Sequence, residues 1–141
     1  MHALIYTRIS SDEQANQGTS LDAQLRECRH YLAERGWVID HELQDVLSGR
    51  RDDRPAYRAL LERVRELRPQ RHSVVVVVAA LDRFGRRVLE GVRCREELKA
   101  LCVATHSVRE GGEVSDLIAN VLAAVAQEEV QRLGMRVSAA W

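Results

Sequence analysis

Residues 74–80 read Val-Val-Val-Val-Val-Ala-Ala, five β-branched side chains in succession followed by two alanines. A strand with one wet face alternates polar and apolar residues. A run without alternation needs cover on both faces, as a central strand of a parallel sheet has. The rest of the 141-residue chain must therefore supply strands to either side and helices above and below.

Residues 3–7 (Ala-Leu-Ile-Tyr-Thr), 37–43 and 103–108 read as three more strands. A first helix opens at Thr19, with Asp22 three residues on as in a capping box. It shows Leu21, Leu25, Cys28 and Leu32 on one face and stops at Gly36. Asp53 and Pro55 open a second helix, striped by Tyr57, Leu60, Leu61, Val64 and Leu67 and ended by Pro69. A third spans about 86–101, Gly111-Gly112 breaks the chain, and a last helix covers about 115–133. Residues 10–19 and 45–53 are polar and read as loops. Strand and helix alternate four times, which implies parallel strands joined by right-handed crossovers. The expected fold is a three-layer α/β domain with a mostly parallel sheet. With no repeat, low-complexity tract or linker, residues 1–141 form one domain.

The last helix differs from the others. Leu117, Ile118, Val121, Leu122, Ala124, Val125 and Ala126 make it apolar almost all round, where a surface helix shows only a stripe. One side is expected to pack on the domain and the other to form a dimer interface. No apolar run approaches the ~20 residues of a membrane helix, and no secretory signal opens the chain, so cytoplasm is the expected compartment. Cys28, Cys94 and Cys102 are odd in number and widely spaced, which indicates neither a zinc site nor a disulfide framework. Cys94 and Cys102, eight apart, read as buried residues on one helix face. The 21 basic and 21 acidic residues cancel, which argues against a free-standing DNA-binding domain. Lys99 is the only lysine.

In open parallel sheets, sites form beyond the carboxyl ends of the strands. Four segments meet there: Tyr6 to Ser10 after the first strand, Ser48 to Arg54 after the second, Asp82 to Arg86 after the third, and Gly111-Gly112 after the fourth. One serine, several arginines and one aspartate converge. None of the five histidines falls in these segments, so a Ser-His-Asp triad is not expected. Clustered guanidinium groups bind a phosphate bidentately and stabilise charge that develops during phosphoryl transfer. Serine attack on a phosphodiester fits this set without metal or cofactor. Composition and spacing by themselves stop at an anionic ligand and phosphoryl chemistry.

Tyr6 to Gln14 (Tyr-Thr-Arg-Ile-Ser-Ser-Asp-Glu-Gln) resembles the opening motif of serine site-specific recombinases of the resolvase/invertase family. Ser20 to Gln24, Ser48-Gly49 with Arg54-Pro55, Leu81 to Arg86 (Leu-Asp-Arg-Phe-Gly-Arg), and Ala124 to Glu129 are similar to four further segments of that family, in the family's order. The inserted Gln17-Gly18-Thr19 and the Arg-Pro pair look most like the large serine recombinases. The resemblance implies a resolvase-like catalytic domain with a C-terminal dimerisation helix. It implies that Ser10 attacks DNA to leave a 5′-phosphoserine link and a free 3′-hydroxyl. It implies that Arg8, Arg83 and Arg86 hold the scissile phosphate, that Arg54 joins them, and that Asp82 orients an arginine or serves in proton transfer. Tyr6, Gln14, Gln24, Ser48, Arg63 and Glu129 are supporting positions by the same resemblance. The implied partners are double-stranded DNA and further copies of the chain, a dimer that becomes a tetramer during strand exchange; no cofactor, metal or membrane is expected.

The chain departs from the family's pattern in two ways. Val130 follows Glu129 where relatives carry an arginine, which predicts slow cleavage unless Arg132 or Arg136 compensates. Gly134 interrupts the last helical pattern, and residues 1–141 contain no helix-turn-helix, zinc ribbon or basic arm, so DNA binding by this chain alone is expected to be weak. An active recombinase domain within a longer protein and a non-catalytic remnant that only dimerises both remain open. A receiver-like signalling module would need a carboxylate cluster where Arg8 and Ser10 stand.

Overall fold

In a computed structural model of the chain, the described residues are 1–10, 20–47, 54–67, 73–84 and 87–139; Ser10, Ser20, Leu47 and 129–139 are described by backbone alone. The chain runs β1 (His2–Ser10), α1 (Ser20–Arg35), β2 (Val38–Leu47), α2 (Pro55–Leu67), β3 (Val74–Val78), a 3-10 turn (Leu81–Arg83), α3 (Val88–Ala100), β4 (Ala104–Ser107), β5 (Gly112–Glu113) and α4 (Asp116–Ala139). The sheet order is β2-β1-β3-β4-β5. The first four strands are parallel, and β5 pairs antiparallel to β4 through His106–Glu113 and Ser107–Gly112.

The valine run is central, between β1 and β4, and it is covered on both faces as its composition requires. Val75 and Val77 pack with Ala3, Ile5, Leu25, Cys28 and Leu32, under α1. Val76 and Val78 pack with Leu4, Tyr6, Leu60, Val64 and Leu98, under α2 and α3. A third cluster joins Leu81, Val92, Val114 and Ala119, with Ile118 and Leu122 of α4 against it. That leaves Leu117, Val121 and Val125 exposed on the other side of α4.

Several boundaries differ from the sequence-based expectations. β2 extends to Leu47, past the expected end at Leu43, because the polar residue Asp45 finds buried hydrogen-bond donors. Gly111 and Gly112 have φ of 92° and 146°, and the break they make leads into a two-residue strand too short to give a pattern. α3 ends at Ala100, so Cys102 does not share a helix face with Cys94. It is exposed, at φ 62°, while Cys94 is buried. α4 continues through Gly134 to Ala139. One glycine costs a helix about 1 kcal/mol, which alone does not end it.

Candidate active site at the carboxyl edge of the sheet

β1 is longer than β3: their pairing ends at Tyr6–Val78, while pairing with β2 continues to Ser10–Leu47. In a parallel strand the N–H and C=O of one residue point to the same neighbour. His2 donates its N–H toward the β3 side, to the Ser73 carbonyl. By alternation Arg8 turns its peptide groups to that side too, where β3 has already ended. Gln24 of α1 fills the gap. Its Oε1 accepts from the Arg8 N–H at 3.3 Å, and its Nε2 donates to the Arg8 carbonyl at 3.0 Å. The carboxamide replaces the missing strand, and both residues are buried at 5% exposure. Ser10 follows two residues later, in the same alternation as Arg8 and Tyr6.

Beneath Arg8 lies a second network. The Tyr6 hydroxyl donates to Asp45 Oδ2 at 2.7 Å. Asp45 also accepts from the N–H groups of Ala56 at 2.9 Å and Tyr57 at 3.1 Å, so it caps α2 from the neighbouring strand. Burial raises the Tyr6 pKa well above its usual value; Arg54 opposes that shift and Asp45 adds to it. Arg54 donates to the Tyr6 hydroxyl through Nη2 at 3.0 Å, to the Phe84 carbonyl, and to Cys94 Sγ at 3.3 Å. Its guanidinium lies 4.4 Å from the Tyr57 ring centroid. Arg54 thus ties α2, β1 and the end of the 3-10 turn together.

The turn carries Asp82 and Arg83 and packs against β1. Gly91 of α3 lets the helix approach it, since a Cβ there would overlap the Leu81 carbonyl. Arg109 Nη1 stands 3.4 Å from Asp82 Oδ2.

The carboxyl edge therefore brings together Tyr6, Arg8, Gln24, Arg54, Asp82, Arg83 and the backbone of Ser10. Gln14, Ser48 and Arg86 lie outside the described residues, and Glu129 is described by backbone only. Arg63 is elsewhere: it pairs with Asp40, at 2.8 and 3.0 Å, near the start of β2. Asp45 escaped the sequence reading because a lone acid at a strand end looks like a loop residue until its donors are seen. Arg8 is buried and Arg54 and Arg83 are half-buried at this edge. Guanidinium groups so placed beside an extended strand end suit a phosphate diester, whose single charge such groups neutralise.

The family described as the N-terminal domain of resolvase matches residues 3–141, and the chain belongs to that family. It is 30% identical over 132 residues to the transposon Tn3 resolvase of Escherichia coli, covering 91% of this chain and 63% of that protein. The R46 site-specific recombinase of Escherichia coli is also 30% identical over 132 residues, at 91% and 62% coverage. The chain thus spans less than two thirds of these relatives. Among solved structures, the N-terminal catalytic domain of TP901-1 integrase superimposes with a TM-score of 0.68 at 24% identity, covering 93% of this chain and 98% of that one. A resolvase family site-specific recombinase from Streptococcus pneumoniae does so at 0.74 and 22%, covering 99% and 95%. At these identities the two structures speak for the fold.

Proposed function

We propose that the chain is the catalytic domain of a serine site-specific recombinase. The Ser10 hydroxyl attacks a DNA phosphodiester, and the Oγ–P bond forms as the P–O3′ bond breaks. The serine hydroxyl gives up its proton and the departing 3′ oxygen takes one up, leaving a 5′-phosphoserine and a free 3′-hydroxyl. Arg8, Arg83 and Arg86 neutralise the phosphate as charge builds on it. Asp82 orients an arginine or takes part in the proton transfer. Arg54, Tyr6 and Gln24 hold these groups in place, with Gln14, Ser48 and Glu129 as further supports. The observation that carries this reading is the Gln24 clamp, which fixes Arg8 at the strand end two residues before Ser10 and beside the Asp82-Arg83 turn. The partners are double-stranded DNA, bound weakly by this chain alone, and a second copy through α4, with a tetramer during strand exchange. The reaction belongs in the cytoplasm.

Val130, where relatives carry arginine, motivates the second reading of a remnant that only dimerises. One experiment separates the two. The chain is joined to a DNA-binding module of known site and incubated with a nicked substrate, and the covalent adduct is mapped by mass spectrometry. An adduct on Ser10 that Ser10→Ala abolishes, with DNA binding intact, is the expected result. An adduct on Ser11 would reject the nucleophile. A stable dimer with no adduct would select the remnant.

A further inference from the structure

The chain leaving β4 is stitched to the chain leaving β3. The N–H groups of Val108 and Arg109 donate to the Val78 and Ala79 carbonyls at 3.0 and 2.9 Å, extending the strand pairing beyond β4. Glu110 comes next. Its Oε2 accepts from the Ser107 hydroxyl, and its Oε1 accepts from the Leu81 N–H at 3.4 Å. Leu81 opens the 3-10 turn that carries Asp82 and Arg83. The first N–H of a turn has no partner within it and needs a cap. Ala80, at the capping position, has no side-chain acceptor to offer. The Glu110 carboxylate, from the turn after β4, takes that place. Arg109, one residue earlier, holds the exposed oxygen of Asp82, whose buried Oδ1 has no hydrogen-bond partner among the described residues.

We infer that Glu110 is a positioning residue of the candidate active site: it caps the Leu81–Arg83 turn from β4's exit and so sets where Asp82 and Arg83 stand. None of the motifs that resemble the recombinase family includes it, and its hydrogen bonds to Leu81 and Ser107 carry the assignment. The consequence for catalysis rests on the recombinase reading; the capping role does not. A shift of one ångström in a positioned group is enough to slow a reaction about a hundredfold.

The test compares Glu110→Ala and Glu110→Gln with the parent. Amide hydrogen exchange on the 141-residue chain reads the cap, and adduct formation by the DNA-binding fusion at saturating DNA reads its effect on chemistry. Glu110→Ala is expected to speed exchange at Leu81 about tenfold while core amides such as Ile5 and Val77 hold their rates. Adduct formation should slow about tenfold to a hundredfold with DNA affinity unchanged. Gln keeps an oxygen acceptor for the Leu81 N–H, so Glu110→Gln should restore most of both losses. Unchanged exchange at Leu81 in Glu110→Ala, equal acceleration of every amide, or a Gln variant as impaired as the Ala variant would each overturn the proposal. If the parent itself forms no adduct, the recombinase reading fails, and exchange at Leu81 still decides the capping role.

Discussion

A primary carboxamide carries one donor and one acceptor group in the geometry of a peptide, and Gln24 spends both on the backbone of Arg8. Gln24→Ala should leave both buried groups unsatisfied and cost about 1–3 kcal/mol in urea denaturation. An unchanged denaturation midpoint would show that the clamp is ornamental. His106 governs a different property. Its Nδ1 lies 2.7 Å from the Tyr31 hydroxyl, and the rings of Tyr31 and Trp37 stand 5.8 and 5.0 Å away. Burial lowers its pKa; Glu113 opposes that shift and Arg35 reinforces it. A lowered pKa means that the unfolded chain binds the proton more readily. The contribution is therefore complete above the ordinary histidine pKa of about 6.5 and is lost as pH falls below it. Denaturation midpoints should fall between about pH 7 and pH 5, and His106→Phe should flatten that part of the profile relative to the parent. Identical profiles for the two proteins would refute this.

At the scale of elements, the carboxyl edge is assembled by contacts between segments distant in sequence. α2 is capped by Asp45 of β2, Arg54 links α2 to the Phe84 carbonyl, and Glu110 reaches the turn after β3. α3 joins this arrangement through Cys94, which accepts from Arg54, and through a close approach at Gly91. The Leu81 carbonyl that a Cβ would strike is backbone, so no side chain can swing aside to make room. Gly91→Ala should push the turn away from α3, destabilise the domain by about 1–3 kcal/mol, and slow adduct formation more than it weakens DNA binding. A variant as stable and as active as the parent would show that the turn is free to shift.

At the scale of the whole molecule, α4 has one face engaged and one open. Ile118, Ala119 and Leu122 pack on the domain, while Leu117, Val121 and Val125, spaced four apart, are 72%, 53% and 50% exposed. Such a stripe is the geometry of a helix-to-helix interface. Leu117→Glu with Val121→Glu should convert a sedimenting dimer to a monomer without lowering the denaturation midpoint. A parent chain that sediments as a monomer at every concentration tested would remove the interface from the proposal.

Periodicity and β-branching in the sequence were enough to specify the layered parallel sheet, because each strand and helix declares its buried face locally. Val74 to Val78 announced a strand covered on both sides, and the Leu25-Cys28-Leu32 spacing announced the helix that covers one of them. Motif order was likewise enough to gather Arg8, Asp82 and Arg83 at one edge. The partners of those residues were not legible. That Gln24 completes the Arg8 peptide, that Arg54 turns toward Tyr6 and Phe84, and that Arg63 is held by Asp40 away from the site all depend on where strands end relative to one another. β5, the extension of β2 to Leu47 and the left-handed Cys102 share that cause. Burial patterns are local properties of a segment, whereas hydrogen-bond partners of polar side chains are properties of the assembled edge, and only the tertiary structure brings that edge into being.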